Sequence, residues 1–221
     1  MAREARKNLR YRVLFTRSEK QSLLAETLSG LLRAEHGRAF VPMVESYRRD
    51  RKEVEIKPLF PGYVFLQTDI GFAKLHELAL KSREQMNMAA IRELGRLKWH
   101  EDEALAEDEA IEEADLSRDE ESFIEHMLGG GTVLRMSECY EAGKKHVVMR
   151  GPLVGLEGQI GKVDKHNRRA VLKSKLLGRD VVAGLWVRPK AAFREDARIG
   201  KLSDGSEVDF DGLERQMMGG N

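Results

Sequence analysis

Apolar positions change their period several times along the chain, and each change marks an element. Residues 10–16 (Arg10-Tyr11-Arg12-Val13-Leu14-Phe15-Thr16) are rich in strand formers. Ser18-Glu19-Lys20-Gln21 offers an N-cap with a Gln three residues on. Leu24, Leu28, Leu31 and Leu32 then fall at i, i+4, i+7 and i+8, one helical face. This spacing predicts a helix to about Glu35 with Gly37 as its stop. Residues 39–48 and 53–57 read as strands around the charged turn Arg49-Asp50-Arg51-Lys52. Residues 63–68 form the next strand, whose period of two sets Tyr63 and Phe65 on one face and Val64 and Leu66 on the other. A second helix spans 72–84, with Phe72, Leu75, Leu78 and Ala79 on one side. The β-α-β-β-α order predicts an α+β sandwich, an antiparallel sheet with helices packed on it.

The pattern weakens after that. Residues 88–98 fit neither period. Residues 101–115 alternate acids with Ala and Leu, which predicts a helix with little apolar face and internal like-charge repulsion. Ser117 with Glu120 is a second capping box, followed by the apolar stripe Phe123, Ile124, Met127 and Leu128. Gly129-Gly130-Gly131 ends that stripe and is the expected hinge. From Val133 onward, short strands are predicted at 132–136, 145–150, 158–164, 169–176 and 179–187, a number that suits a small all-β barrel. Past Val187 and Pro189 few large apolar residues remain, and Gly219-Gly220-Asn221 is expected to fray. The expected division is an N-terminal domain at 8–100, an acidic segment, short helix and Gly-rich linker at 101–131, a β-barrel at 132–190 and a C-terminal extension at 191–221.

Charge adds information that the near-neutral total of +1 conceals. Residues 101–125 hold thirteen acids against Arg118 alone, whereas 144–190 hold twelve Lys/Arg against Glu157, Asp164 and Asp180. Residues 1–60 are also basic, with fourteen Lys/Arg and eight acids. Basic blocks of this kind point to polyanions, while the acidic block reads as a solvated helix or linker, or as a mask over the basic barrel. The single Cys139 excludes an intramolecular disulfide and a Cys-rich zinc cage. His36, His76, His100, His126 and His146 lack metal-ligand spacing, and there is no Gly-rich phosphate loop. No nucleophile motif accompanies the scattered carboxylates, so neither an enzyme nor a cofactor is expected. Arg3 to Arg12 is not followed by a long apolar stretch, and no apolar run approaches a membrane span, so a cytoplasmic protein with no membrane contact is expected.

Two motifs carry the functional reading. One is Pro58-Leu59-Phe60-Pro61-Gly62-Tyr63-Val64-Phe65-Leu66, an aromatic–Pro–Gly–aromatic strand entry. The other is Gly151-Pro152-Leu153-Val154-Gly155-Leu156-Glu157-Gly158, with Leu176-Leu177-Gly178-Arg179 later. Each is common alone. Their pairing across a linker, with Tyr11-Arg12-Val13-Leu14 as opening strand, resembles the NusG family of factors that ride on RNA polymerase. The basic stretch Val163-Asp164-Lys165-His166-Asn167-Arg168-Arg169-Ala170 and the helix before the linker are similar to its LoaP branch of specialised antiterminators. Residues 84–116 and 190–221 depart from the family pattern.

The resemblance implies an α+β N-terminal NusG-type sandwich and a small C-terminal all-β KOW barrel joined by a linker, acting as a monomer. It implies that Leu14, Phe60, Pro61, Tyr63 and Phe65 contact the coiled-coil tip of the RNA polymerase clamp, unless those aromatics simply fill the core. It further implies nascent RNA, as a hairpin, on the barrel, with the non-template DNA strand as another contact. Candidate RNA ligands are Lys144, Lys145, Lys162, Lys165, His166, Asn167, Arg168, Arg169, Lys173, Lys175 and Arg179; alternation sets Val171, Lys173 and Lys175 on one face of their strand. His166 reads either as a base-stacking residue or as a plain turn histidine. One alternative is a general factor whose barrel binds a ribosomal protein or termination helicase through apolar strands near Leu176, Leu177 and Val181. The other is a ribosome-associated RNA-binding protein.

Overall fold

The computed structural model describes residues 9–81 and 112–193. The segments expected at 82–111 and 194–221 lie outside the described residues, as do the side chains of Phe72 and Ala79. Two compact units emerge: Met1–Met43 with Pro58–Glu125, and Val44–Lys57 with His126–Asn221.

The first unit opens with β1 (Arg10–Phe15) and α1 (Gln21–Leu32), then a short 3-10 turn, Arg33–Glu35. The leucine stripe folds as its spacing requires: Leu24, Leu28, Leu31 and Leu32 are buried with Leu14, Val64 and Leu66. Burying each such side chain is worth about 1.5–3 kcal/mol, so the stripe dominates the helix's stability. Both expected caps differ, however. Lys20 is the N-cap and makes no side-chain cap, since its ammonium has no acceptor atom, and Gln21 is buried and bonds elsewhere. At the other end His36 takes the left-handed position, with φ 55°, and the Gly37 amide donates to the Leu32 carbonyl at 3.0 Å. Gly37 is needed for space instead, since a Cβ there would lie 3.1 Å from the Gln67 carbonyl oxygen.

β2 (Arg38–Phe40), β5 (Tyr63–Thr68) and β6 (Glu112–Asp115) complete an antiparallel sheet in the order β2-β5-β1-β6. α2 (Phe72–Lys81) follows β5. The acidic run was expected to be helical to residue 115, but its last four residues form an edge strand on β1. The capping box closes as expected at the start of α3 (Arg118–Leu128): the Glu120 amide donates to Ser117 Oγ at 3.3 Å, and the Ser117 amide to Glu120 Oε2 at 3.0 Å.

A single strand was expected at 39–48. Pro42 divides it, having no amide to donate to a ladder, and the chain leaves the first sheet there. β3 (Met43–Arg48) and β4 (Glu53–Pro58) instead pair with β7 (Val133–Leu134) in the order β4-β3-β7. The hairpin therefore groups with the C-terminal unit rather than with the expected 8–100 domain.

β8 (Ser137–Ala142), β9 (Lys145–Arg150), β10 (Ile160–Asp164), β11 (Arg169–Leu176) and β12 (Arg179–Val187) form a five-stranded sheet, ordered β10-β11-β12-β8-β9, with β12 and β8 parallel. Three register shifts bend it, and the turn Glu157–Gln159 touches both β9 and β11. Hydrogen bonding leaves β10 and β9 at the two ends of the ladder, so the expected closed barrel is not seen among the described residues. Leu134, Cys139, Tyr140, Val147, Leu172 and Leu185 are among the buried core residues. The chain after Val187 was expected to pack little, yet Phe193 is buried against Tyr140, with ring centroids 6.1 Å apart.

Candidate functional site

The aromatic–Pro–Gly–aromatic segment is a fixed turn. Phe60-Pro61-Gly62-Tyr63 closes with the Tyr63 amide donating to the Phe60 carbonyl at 3.3 Å, Pro in the second position and Gly62 at φ +87°, the pattern of a type II turn. The Gly62 amide donates to Gln21 Oε1 at 2.6 Å, and its carbonyl accepts from the Thr16 amide at 2.8 Å. Gln21 thus ties the start of α1 to this turn, which explains why it caps nothing locally.

β5 was expected to bury one side and expose Tyr63 and Phe65 on the other. Instead Tyr63, Val64, Phe65 and Leu66 are all buried. The register places Tyr63 opposite Phe15 and Phe65 opposite Val13, and Leu14 opposite Val64 on the α1 side. Phe15 packs edge-on to Tyr63 at 4.7 Å, Phe60 lies 5.6 Å from Tyr63, and Phe40 lies 6.0 Å from Phe65. Four of the five residues expected to contact polymerase (Leu14, Phe60, Tyr63, Phe65) are therefore core, and they divide between two sheet faces; only Pro61 is exposed. The run Tyr-Val-Phe-Leu is continuously apolar, which a strand covered on both faces requires. On the Tyr11 end of the Phe65 face, Glu121 of α3 accepts from Arg10 Nε at 2.7 Å and from the Tyr11 amide at 3.0 Å. Burial, and then the nearby Glu125 carboxylate, push the Tyr11 hydroxyl above its usual range.

The second motif is also a close-approach turn. Gly151 sits at φ +96° against Ser137, and the Leu153 amide donates to the buried Ser137 Oγ at 3.1 Å.

Of the basic candidates, those on β11 alternate as expected: Arg169, Lys173 and Lys175 are exposed while Ala170, Leu172 and Leu176 are buried. The structure gathers them at two ends of the strand. Lys144, Lys145, Lys165, His166, Arg168 and Arg169 lie at one end, because Lys165 Nζ bonds Glu141 Oε2 at 2.7 Å and so links the 165–168 turn to the β8–β9 hairpin. Lys173, Lys175 and Arg179 lie toward the other; at about 3.3 Å per residue, Lys175 is roughly 20 Å along the strand from Arg169. Several cations are already neutralised: Lys165 by Glu141, Arg169 by Asp164 at 3.3 Å and Lys175 by Asp180 at 3.7 Å. Lys173 donates to the Gly158 carbonyl at 2.9 Å. Lys144, Lys162 and His166 are exposed and have no ion pair among the described residues.

Asn167 is a turn-former rather than a free ligand. Its amide and side chain both donate to Asp164, at 3.0 and 2.7 Å, and these bonds hold the Asp164 carboxyl down at about 2. Arg168 follows at φ 49°, and its guanidinium carbon lies 3.9 Å from the Tyr47 ring centroid and 4.2 Å from that of Trp186. Sequence reasoning missed both aromatics, which stand far apart in the chain and match no motif. Burial pushes the Cys139 thiol up to about 12, so the lone cysteine is inert. Among the described residues no helix is long and apolar enough to cross a membrane.

Residues 9–94 match the family model NusG, described as transcription termination factor nusG. Over this span the chain is similar to the NusG family. A comparison with curated proteins finds no match. Proteins of that family are transcription factors that generally bind RNA polymerase, and the match suggests a role in transcription elongation or termination. Within the matched span, the Phe60–Tyr63 turn is pinned by Gln21 and Thr16 at the entry to the β1–β5 pairing.

Proposed function

We propose that this chain is a specialised, LoaP-like elongation factor that joins RNA polymerase through its NusG domain and holds nascent RNA, as a hairpin, on its C-terminal sheet, so that pausing and termination are suppressed. The observation that carries the first half is the family match over 9–94. The polymerase surface is built on the rim around exposed Pro61 and half-buried Phe15, with the core aromatics holding the rim in place. The second half is supported by the cationic turn end of the C-terminal sheet, with exposed Lys144, and by exposed Lys162 on β10, neither of which has an acidic partner among the described residues. The C-terminal sheet, bent by its register shifts, is read as a KOW-type module.

The test of the RNA half is the dependence of RNA affinity on salt, read by fluorescence anisotropy. Replacing both Lys144 and Lys162 with Ala should lower the slope of log K against log salt by about 2. Replacing Lys165 with Ala should change it little, because Glu141 already compensates that charge. Equal effects from the two variants would remove this turn end from the RNA surface.

An adaptor role in which the sheet binds a protein keeps one supporting observation. Leu176 and Val181 are buried, but Val182 and Val154 are exposed, and Val182 stands opposite Val171 on the outward face.

A further inference from the structure

Arg168 has an unusual setting for a residue in a cationic turn. Its neighbours Lys165 and Arg169 have carboxylate partners, whereas Arg168 has none among the described residues. Its charge is met by two ring faces, Tyr47 of β3 and Trp186 of β12. Both rings share this one guanidinium, and no ring contact joins them directly among the described residues. Both are half-buried.

The walls are braced from behind. On the Tyr47 side, Glu45 accepts from Arg135 Nη1 at 2.6 Å and from the Met136 amide at 2.7 Å, which fixes β3. Gly184 lets β3 press close to β12, since a Cβ there would stand 2.8 Å from the Glu45 carbonyl oxygen. On the Trp186 side, Arg188 lies 5.1 Å from the ring and is itself held by Glu138 at 2.7 Å. The turn that carries Arg168 is fixed by the Asp164–Asn167 bonds. Two rigid rings held one flat group apart define a slot of set width, and a stacked nucleobase has the same thickness as a guanidinium plane. Aromatic faces beside unneutralised cations are how proteins take up unpaired bases.

We infer that Tyr47 and Trp186 form a stacking slot for one unpaired nucleobase of RNA, and that Arg168 fills it in the free protein. A base entering the slot displaces the guanidinium, which is then free to meet a phosphate of the same strand. This rests on the RNA-binding reading above and adds a base-specific element to it, since phosphates alone need no aromatic slot.

The test uses the full chain carrying Trp99→Phe, which leaves Trp186 as the reporter of the two tryptophans. Dodecauridylate is the probe, and inorganic polyphosphate serves as a polyanion without bases. Dodecauridylate should quench Trp186 fluorescence as it binds, and polyphosphate should not. Tyr47→Ala should weaken dodecauridylate binding about tenfold while leaving the salt slope unchanged, because stacking releases no counterions. Tyr47→Phe should bind like the parent. The comparison of the two probes needs no variant of the slot, so it stands even if Tyr47→Ala fails to fold. Dodecauridylate that binds by anisotropy without quenching, quenching by polyphosphate equal to that by the oligonucleotide, or a folded Tyr47→Ala that binds normally would each overturn the slot and leave RNA binding intact. No binding even at about 20 mM salt, where phosphate contacts are strongest, would overturn both.

Discussion

Gly62→Ala should strongly destabilise the NusG-like unit and disrupt any association with RNA polymerase. Gly62 sits at φ +87°, and a Cβ there would stand 2.6 Å from the Thr16 carbonyl oxygen. That oxygen belongs to backbone at the end of β1, so it has no flexible side chain with which to retreat. A left-handed backbone costs an L-residue about 1–2 kcal/mol and overpacking about 1–3 kcal/mol, so the combined loss is roughly 2–5 kcal/mol. A whole domain is worth only about 5–15 kcal/mol. The substitution also loosens the bonds from Gly62 to Gln21 and from Thr16 to Gly62, which join α1 and β1 to β5. Chemical denaturation followed by circular dichroism measures the loss. A variant as stable as the parent would show that the turn does not govern the sheet.

The mirror experiment is Gly151→Ala, which should damage RNA binding and spare polymerase binding. At φ +96°, its Cβ would stand 2.7 Å from both Cα and Oγ of Ser137 and 2.8 Å from the Met136 carbonyl oxygen. Two of those three atoms are backbone. Displacing Ser137 also removes the acceptor of the Leu153 amide, and an orphaned buried donor costs about 1–3 kcal/mol beyond the strain. The same paired measurement, RNA anisotropy and polymerase co-elution, should therefore separate the two glycine variants. If either variant lost both activities, the assignment of one partner to each unit would be wrong.

Local physics was legible in the sequence, and long-range partnership was not. The leucine spacing specifies α1, and the Ser117–Glu120 box lies within four residues, so both follow from the chain alone. β9, β11 and β12 match their expected bounds because apolar alternation and flanking turn residues agree there. β8 was missed: Ser-Glu-Cys-Tyr-Glu-Ala is weakly alternating, and its pairing with β12 is parallel and distant. Gln21 looked like a local cap and proved to be the partner of Gly62, 41 residues on. Exposure was the largest misreading. Alternation divides Tyr63 and Phe65 from Val64 and Leu66, but it does not make one side an outside, and an unbroken apolar run already requires cover on both faces. The basic block was legible as a block, but not which of its members already had carboxylate partners.

The proposed attachment to RNA polymerase through the NusG-like unit is what the rest depends on, and gel filtration of the purified chain with core RNA polymerase probes it without intermediaries. The parent protein and Gly151→Ala should co-elute with the enzyme while Gly62→Ala should not. A folded parent chain that elutes apart from the polymerase would contradict that attachment.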